Sequence, residues 1–559
     1  MFTNMIGAST ALLLASATLI NAQTLPTVDL SYALHQAIDY NSTGKLYTFS
    51  NIRYAAPPVG KLRFKAPVAP STNRTLTNGS DKNGACPSGL PNWLSAAYPF
   101  IGAYLGGQRN FTRDSFNVPP PGGPSNPSDA GTPEDCLFLD VVTPKAIFDK
   151  ANTTGNTGAP VLVWIYGGGY TFGSKTQYGS PAGLISRSQG KGDAGVVYVA
   201  MNYRIGAFGW LSGPTFQGDG GIANAGLYDQ RLALKWVQDN IAKFGGDPKR
   251  VTVFGESAGA GSIMHQITAF GGRSDIQFQN AVLQSPAFAP ILSNHQQEAF
   301  YNDFLRLAGV SNFAQLQALP YGRLQSANLQ QIQNSSYGTF TFGPVVDGVI
   351  APQSPGQLLS KGQFYKNVKV MTGHNSNEGI LFTPYYINND EVFRSELIKL
   401  LPNLGAFPDT VDYIMNTMYP ADYSGKQGYT DIIGRVIKAI SEGIFNCNTV
   451  YLAKAFGNQT YSYEFAIPPG IHGNDISSTF YNGNDVPSVP VALAMQQYIA
   501  SFALKAGSPN YFLGKPNAPW FPVYGRNSSV QILNSTSFKQ ANDPYNNYRC
   551  TYWQKALFE

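Results

Sequence analysis

The sequence predicts an α/β fold, with a large, mostly parallel central sheet and helices packed on both of its faces. Several apolar runs rich in Val, Ile, Tyr and Phe stop at Gly, Pro, Ser or Asn, as buried strands do. Helical patterns lie between these runs, and strands that alternate with helices along a chain form parallel sheets. The runs are continuously apolar rather than alternating, which indicates strands that are covered on both faces.

Six runs predict strands of this sheet. In chain order they are PVLVWIYGGG, GVVYVAMNYR, VTVFGES, NAVLQSP, VKVMTGHN and TYSYEFAIPP. The stretch YDQRLALKWVQDNIAKFGGDP has apolar residues at helical spacing, and Gly-Gly-Asp-Pro ends this predicted helix. Ligands of such sheets bind beyond the carboxyl ends of the strands, so we expect the functional residues there.

A single catalytic domain is predicted over residues 23–559, because neither an internal repeat nor a linker between two cores is recognisable. Residues 1–22 are interpreted as a signal peptide, since they lack acidic residues, contain an apolar run over residues 11–20 and end in Asn-Ala. The alternatives are an ordinary apolar segment or a membrane anchor. That run is shorter than the ~20 residues that span a bilayer, and no later segment has that length. We therefore predict a secreted, extracellular protein without an integral membrane segment.

The cysteines and the glycosylation sequons agree with export. Four cysteines in an exported chain suggest two disulfides, for which three pairings are possible; pairing of sequence neighbours joins Cys86 to Cys136 and Cys447 to Cys550. No CxxC motif occurs, and the spacing is wrong for a compact zinc site. The candidate glycosylation sites, each the first residue of N-x-S/T, are Asn41, Asn73, Asn78, Asn110, Asn152, Asn334, Asn458, Asn527 and Asn534.

The charge distribution predicts no nucleic-acid partner. The chain has 38 Lys and Arg against 33 Asp and Glu, a net charge of +5, and no run of five or six basic residues. Nucleic-acid binding requires a clustered basic face. Only 13% of the residues are charged, against ~25% in typical soluble domains, which fits a surface made soluble partly by sugar.

The stretch VTVFGESAGAGS places a serine between two glycines where a predicted strand gives way to a helix. A bare GxSxG occurs by chance in a chain of this length, and an ordinary Gly-rich turn is the alternative interpretation. Gly255 and Gly259 permit a sharp turn because they lack side chains. The turn would hold Ser257 at a helix N-terminus, where partial positive charge favours a developing oxyanion. Ser257 is therefore the predicted nucleophile.

A serine nucleophile requires a base, and His472 is the preferred one. It lies on a Gly-flanked loop, in IHGND, directly after a predicted strand. His374 also follows a strand but lies only four residues from the candidate acid, so it is interpreted as structural. His265 lies two turns into the helix after the serine, and His35 and His295 lie in the N-terminal region and a Gln-rich stretch.

The acid and the oxyanion donors are predicted from the ends of two other strands. Glu378 follows the strand VKVMTG, and the chain order Ser257, Glu378, His472 is that of an α/β-hydrolase. The strand VLVWIY is followed by three glycines. These glycines let backbone N–H groups approach a reacting carbonyl, although a merely flexible turn has the same composition.

Taken together, these motifs resemble the type-B carboxylesterase/lipase family, which includes cholinesterases and fungal lipases. The resemblance runs from about Tyr47 to Asp475, with weaker similarity to the C-terminus. It rests on NIRYAAPPVGKLRF, EDCLFLDVVTP, VLVWIYGGGY, NYRIGAFGWL, GLYDQRLALKWVQDNIAKFGGDPKRVTVFGESAGAGS, VLQSP, FGPVVDGVI, SNEG and HGND.

The resemblance implies one large α/β-hydrolase domain without cofactor or metal. It implies a catalytic triad of Ser257, Glu378 and His472, and the Cys86–Cys136 and Cys447–Cys550 disulfides. Ser285, in LQSP, is similar to a residue that supports the catalytic histidine in the family. The oxyanion donors implied are the backbone N–H groups of Gly168, Gly169 and Ala258.

The loop between Cys86 and Cys136 departs from the family pattern, because the proline run NVPPPGGPSNPSDAGTP makes it longer than in many relatives. In the family this loop shapes the mouth of the active-site gorge, and in lipases it acts as a lid. The aromatic residues Trp93, Tyr98, Phe100 and Tyr104 are expected either to line the entrance or to pack under the loop. Choline esters are not predicted as substrates.

We therefore predict a secreted serine carboxylic ester hydrolase that cleaves small-molecule or lipid esters through an acyl-enzyme. One alternative is a true lipase that acts on long-chain acylglycerols. Another is a non-catalytic binding protein similar to cholinesterases. Such relatives lack one or more triad residues, whereas all three positions are filled in this chain. The oligomeric state stays open.

Overall fold

An eleven-stranded sheet lies at the centre of the computed structural model, which describes residues 25–555 apart from 83, 117–133, 152, 156, 191, 290, 292 and 512–517. The strands are β1 Thr27–Asp29, β2 Ala33–Gln36, β3 Asp39–Asn41, β4 Leu46–Arg53, β5 Asn73–Thr77, β6 Phe138–Pro144, β7 Ala159–Ile165, β8 Val197–Met201, β9 Gly246–Glu256, β10 Asn280–Gln284, β11 Lys369–Asn375, β12 Tyr461–Phe465, β13 Ser529–Leu533 and β14 Phe538–Asn542.

The central sheet is parallel in its middle and antiparallel at both edges. Its strand order is β14-β13-β12-β11-β10-β9-β7-β8-β6-β4-β3. All neighbours from β8 to β13 pair in parallel, while β13–β14, β8–β6, β6–β4 and β4–β3 are antiparallel. Strands β1, β2 and β5 form a separate small sheet.

Helices occupy the connections between the strands. The α-helices are α1 Leu94–Leu105, α2 Lys145–Phe148, α3 Ala182–Arg187, α4 Ala207–Trp210, α5 Pro214–Gly218, α6 Ala225–Asn240, α7 Ala258–Thr268, α8 Asn294–Ala308, α9 Phe313–Ala318, α10 Tyr321–Gln333, α11 Pro355–Ser360, α12 Asp390–Leu400, α13 Pro408–Tyr413, α14 Ile432–Ile440, α15 Cys447–Ala455, α16 Asn474–Thr479, α17 Val489–Leu504 and α18 Tyr548–Lys555. Short 3₁₀ segments are Gly60–Leu62, Ile241–Phe244, Ala269–Gly272, Glu378–Phe382 and Pro402–Ala406, and π-helical turns are Ile414–Met418 and Ser441–Asn446.

The predicted parallel sheet and its helices are confirmed. The six predicted strands are β7 to β12, and the predicted helix is α6 with its 3₁₀ extension. Strand β9 begins at Gly246 rather than at Val251, because Gly246 pairs with Ala159 and the residues between Gly246 and Val251 form a bulge within β9. The antiparallel strands β4 and β6 were not among the predicted strands, although their residues carry part of the family resemblance.

The parallel strands are buried, as their continuous apolar runs predict. Val161, Leu162 and Val163 of β7 have no exposed surface, and neither do Val251 and Val253 of β9. Helix α7 packs on β9 and β10 immediately beyond the carboxyl end of β9. The strand ends therefore form a rigid edge from which side chains of several connections project.

Both disulfides join cysteines that follow one another in the order of the four cysteines along the chain: Cys86 is bonded to Cys136, and Cys447 to Cys550. The predicted signal peptide, Asn152 and the proline run of the long loop lie outside the described residues. Within the described ranges, none of the helices combines the length and apolar character needed to cross a membrane.

Candidate active site

Ser257 lies at a sharp turn between β9 and α7. Its backbone has φ 56° and ψ −124°, a conformation that non-glycine residues rarely adopt, and it caps the N-terminus of α7. A Cβ on Gly255 would lie 2.6 Å from the carbonyl oxygen of Ile165, and one on Gly259 would overlap the same oxygen. The GxSxG pattern therefore has a steric cause: the backbone of β7 approaches both glycines too closely for any side chain.

A continuous line of hydrogen bonds joins three side chains that are far apart in sequence. The distance from His472 Nε2 to Ser257 Oγ is 2.7 Å, and that from His472 Nδ1 to Glu378 Oε2 is 2.5 Å. A neutral imidazole with its proton on Nδ1 donates to the carboxylate and leaves Nε2 to accept the serine proton. The arrangement can therefore remove a proton from the serine hydroxyl and retain the charge that results.

The loops that carry these groups begin at neighbouring strands. Glu378 opens the 3₁₀ segment after β11, and His472 follows β12. An isolated bridge between Asn377 and Ile471 holds the two loops side by side. The rings of Phe382 and Phe445 lie 5.2 and 4.6 Å from the imidazole, measured between ring centroids, and restrict its orientation.

Buried carboxylates set the protonation of this site. Burial alone lowers the pKa of His472, but the charges of Glu256 and Glu378 outweigh that effect and raise it to about 9. Burial alone would raise the pKa of Glu378; the imidazolium and several hydrogen bonds outweigh it and hold that pKa below its usual range. The imidazolium form is therefore strongly favoured beside Glu378, which is what a base needs after it accepts a proton.

Glu256 is a second carboxylate beside the imidazole. Its Oε1 lies 3.3 Å from His472 Nε2, and its side chain is 3% exposed. Burial raises the pKa of Glu256 to about 8, with His472 opposing the shift and Asp475 and Glu378 adding to it. Glu256 and His472 therefore titrate as a coupled pair.

A buried polar network fixes Glu378. Ser285 Oγ donates to Glu378 Oε1 at 2.6 Å, and the backbone N–H of Asn375 donates to the same oxygen at 2.5 Å. The side-chain amide of Asn375 contacts Ser285 Oγ and Asp475 Oδ1, at 3.2 and 3.3 Å. Asp475 also accepts from Gln284, at 3.0 Å. Ser285 thus contacts Glu378 rather than His472, and residues at the carboxyl ends of β10 and β11 jointly hold this carboxylate in place.

The glycine run after β7 faces the same hydroxyl. Gly168 and Gly169 have φ values of 105° and 58°, which favour glycine, and both line a cavity that contains Ser257. Ala258, the first residue of α7, lines another cavity together with Gly169 and Ser257. The three residues predicted as oxyanion donors therefore line cavities that also contain Ser257.

Two cavities meet at Ser257. The first, which we call the Phe-rich cavity, has a volume of about 300 Å³ and is lined by Phe288, Phe340, Phe342, Phe382 and Phe445. The second, the His-side cavity, has a volume of about 520 Å³ and is lined by His472, Glu256, Tyr98 and Tyr178. Phe340 and Phe382 line both cavities and lie between them.

The four aromatic residues of the loop between Cys86 and Cys136 were expected either to line the entrance or to pack under the loop, and they differ in this respect. Tyr98 is 60% exposed and lines the His-side cavity. Trp93 and Phe100 are buried, and Trp93 Nε1 donates to the carbonyl oxygen of Thr339 at 2.7 Å. Tyr104 donates to Asp431. Only Tyr98 of these four therefore lines the entrance; Phe100 packs against Phe111 and Phe116 of the same loop, and Trp93 packs against Phe340 and Phe382, which line both cavities.

The other histidines lie away from the nucleophile. His374 is buried in β11, contacts the carbonyl oxygen of Asn375 and packs edge-on against Tyr545. His265 is buried in α7 against Phe288. Among the described residues, no group of three or more His, Cys, Asp or Glu side chains offers a metal site.

Sequence reasoning missed three polar residues of the site: Glu256, Asn375 and Asp475. Glu256 is the unspecified residue between the glycine and the serine of GxSxG, and Asp475 is the last residue of HGND. Both therefore lie inside motifs whose predicted roles belong to other residues. Asn375 ends a strand and carries no sequence signal of its own. Their roles depend on contacts between strands, which only the folded sheet defines.

This sheet, with a serine at the strand-to-helix turn and a histidine and a carboxylate on the following loops, defines an α/β-hydrolase. A crystal structure of Aspergillus niger EstA has the same fold: it superimposes with a TM-score of 0.76 at 24% identity, covering 95% of this chain and 98% of that chain. The chain is 39% identical over 565 residues to carboxylesterase patB of Penicillium expansum, covering 98% of this chain and 99% of that protein. It is 30% identical over 482 residues to the secreted triacylglycerol lipase LIP1 of Gibberella zeae, covering 79% and 76%.

The model of the carboxylesterase family matches residues 28–553. The chain belongs to this carboxylesterase family and is a carboxylic ester hydrolase. The predicted family, fold and class of reaction are therefore confirmed.

Proposed function

We propose that the protein hydrolyses carboxylic esters through an acyl-enzyme formed on Ser257, with His472 as general base and acid and Glu378 as its partner. The observation that carries this proposal is the unbroken contact from Glu378 Oε2 through the imidazole to Ser257 Oγ, with distances of 2.5 and 2.7 Å. The 2.7 Å from His472 Nε2 to Ser257 Oγ lies within the range that a proton transfer requires, and the 2.5 Å contact with Glu378 orients the imidazole.

The reaction divides into two similar steps. Ser257 Oγ attacks the ester carbonyl while His472 Nε2 takes its proton, and the backbone N–H groups of Gly168, Gly169 and Ala258 stabilise the oxyanion. The C–O bond to the alcohol breaks, and the imidazolium protonates the leaving alkoxide. Water, deprotonated by His472, then attacks the acyl carbonyl; the bond to Ser257 Oγ breaks, the imidazolium returns its proton to Oγ, and the acid is released. Each oxyanion donor contributes about 3 kcal/mol of transition-state stabilisation.

The two parts of the ester substrate are proposed to bind in different cavities. The leaving oxygen must lie within reach of His472 Nε2, because that atom protonates it. His472 lines the larger cavity and not the Phe-rich one. The alcohol part of the ester is therefore assigned to the His-side cavity and the acyl part to the Phe-rich cavity.

Replacement of the nucleophile tests this proposal. We expect Ser257→Ala to fold as the parent does but to hydrolyse p-nitrophenyl butyrate at least about 10³-fold more slowly, because no acyl-enzyme can form. A fluorophosphonate probe should label the parent protein and not this variant. Ser262→Ala, in the same helix but without surface exposure, is the matched control. An active, labelled Ser257→Ala variant would refute the assignment.

The finer substrate class is proposed to be soluble esters with short to medium acyl chains. The small volume of the Phe-rich cavity and the full-length similarity to a carboxylesterase support it. The similarity to secreted lipases favours the alternative, hydrolysis of long-chain acylglycerols. Rates on tributyrin and triolein, below and above the solubility limit, separate the two: a true lipase is activated by the oil–water interface.

Secretion is the second part of the proposal. The two disulfides, the sequons and the relatives named as secreted lipases support it. The N-terminal residues 1–22 are proposed to be removed on export. Protein recovered from the culture medium of a fungal host should then begin at Gln23.

A further inference from the structure

We infer that Asn334 carries an N-linked glycan at the outer opening of the Phe-rich cavity, and that this glycan limits the length of the acyl chain that the enzyme accepts. The inference rests on the proposed function, since it requires export and an acyl group in this cavity. It assigns to one sequon a role in substrate selection.

The sequon forms part of the cavity wall. Asn334 follows the last residue of α10, and Asn334, Ser335 and Ser336 all line the cavity that contains Ser257. Asn334 and Ser336 are exposed. The cavity therefore runs from the nucleophile to a surface opening at which the acceptor asparagine is accessible. Lys399, another exposed residue, lines this opening as well.

The attachment point is held against the cavity. Ser335 Oγ and Thr341 Oγ1 lie 2.7 Å apart, which closes the segment into a short loop. The backbone N–H of Asn92 donates to the carbonyl oxygen of Gln333 at 3.2 Å, directly before the sequon. A sugar at Asn334 thus begins at a position defined by both ends of its loop and cannot swing away from the opening at its root.

The other described sequons lie elsewhere. Of the described acceptor asparagines, only Asn334 lines a cavity that also contains Ser257. The remaining exposed acceptors are Asn41, Asn73, Asn110 and Asn527. Asn534 is half-buried, and its Nδ2 donates to the carbonyl oxygen of Ala466 at 3.1 Å. A substrate effect is therefore expected from one glycan and not from glycosylation in general.

The physical effect is steric and is confined to long chains. A short acyl group remains inside a cavity of about 300 Å³, among phenylalanine rings. A long chain has to emerge at the opening, where a bulky, hydrated oligosaccharide occupies the same space. The glycan therefore reduces turnover of long-chain esters and leaves short-chain esters unaffected.

The experiment uses the full-length protein secreted from a fungal host, with site occupancy read by mass spectrometry of glycopeptides. Asn334→Gln removes the acceptor, and Ser336→Ala removes the sequon while Asn334 stays in place. Ser336→Thr retains the sequon, and Asn527→Gln removes an exposed site that lines neither cavity; these are the two matched controls. kcat/KM is measured for p-nitrophenyl butyrate and dodecanoate.

We expect Asn334 to be glycosylated in the parent, and both sequon-removing variants to raise the dodecanoate-to-butyrate ratio of kcat/KM about three- to tenfold. Both controls should keep the parent ratio. If the enzyme hydrolyses the butyrate ester but Asn334 carries no glycan, the inference is wrong. It is also wrong if the dodecanoate-to-butyrate ratio of kcat/KM stays unchanged or falls in the two sequon-removing variants. A parent protein inactive on both esters would contradict the proposed function, and this inference with it.

Discussion

At the scale of single residues, His472 is defined by the groups that contact its ring. Glu378 accepts from Nδ1, while Ser257 and Glu256 lie beside Nε2. The rings of Phe382 and Phe445 pack against the imidazole. The same atom, Nε2, therefore contacts the hydroxyl of Ser257 and lies near a carboxylate that stabilises the protonated imidazole.

The second carboxylate should control the pH dependence of the enzyme. His472 acts as a base only when it is neutral, so kcat/KM should rise with pH as the imidazolium loses its proton. The carboxylate of Glu256 helps to raise the pKa of His472 to about 9. Removal of this charge lowers that pKa, and Glu256→Gln should move the rising limb of the profile to lower pH by about 1 unit.

The pH profile of kcat/KM for p-nitrophenyl butyrate checks this prediction. Glu391→Gln, which removes an exposed carboxylate of α12, is the control and should leave the profile in place. A limb that stays fixed, or that moves to higher pH, in Glu256→Gln would show that the carboxylate does not act on the imidazole.

At the scale of elements, α7 connects Ser257 to the core. All of its residues are buried, including His265, whose Nε2 has no hydrogen-bond partner in the described part of the chain. Burial lowers the pKa of His265 to about 3. The helix that presents Ser257 therefore contains a histidine that stays neutral in the folded protein.

His265 should make the stability of the fold depend on pH. Its pKa falls from 6.5 in the unfolded chain to about 3 in the native one, so between these values only the unfolded chain binds a proton. The free energy of unfolding is thus fully retained above pH 6.5 and falls as the pH drops toward 3, by up to about 1.4 kcal/mol per pH unit. His265→Gln should reduce the slope of the unfolding free energy against pH by the contribution of one bound proton.

Urea denaturation at several pH values between 4 and 7 measures the slope. His295→Gln, a change at an exposed histidine of α8, is the control and should leave it unchanged. Equal slopes for parent and His265→Gln would mean that His265 does not contribute to the acid sensitivity.

At the scale of the whole molecule, a disulfide and an ion pair link helix α18 to the segment around Phe445. Cys550 of α18 is bonded to Cys447, 103 residues earlier, and Arg549 pairs with the buried Glu442 at 2.6 Å. Glu442 belongs to the π-helical turn that carries Phe445, which packs on His472. Helix α18 therefore supports the segment that carries Phe445, whose ring packs on His472.

Loss of this disulfide should weaken the whole fold. Cys447→Ala with Cys550→Ala opens a covalent loop of 103 residues and releases the unfolded chain from that constraint. We expect the free energy of unfolding to fall by about 2–5 kcal/mol. The shift of the urea midpoint measures it, with Ser424→Ala, in an exposed loop, as a control. An unchanged midpoint in the double variant would contradict the prediction.

Much of the fold was predictable because local patterns agree with it. Strands β7 to β12 are continuous apolar runs, and their residues are buried on both faces, so pattern and environment coincide. The early start of β9 at Gly246 was not predictable, because its pairing with Ala159 depends on a bulge within β9 and on the register with β7. Glycines and aspartates at that point are equally typical of a turn.

The residue types and the chain order of the site follow from sequence alone: a serine between glycines at the end of a strand, then a carboxylate and a histidine after later strands, in a chain of the carboxylesterase family. Only the tertiary structure decided which polar residues surround them and how the cavities divide at Ser257. Glu256 contacts His472, Asn375 contacts Glu378, and Asp475 contacts Asn375, each from a different element of the chain, while Phe340 reaches Gly169 across the cavity. Such contacts depend on strand register and side-chain packing, whereas a strained turn between glycines is encoded by adjacent residues.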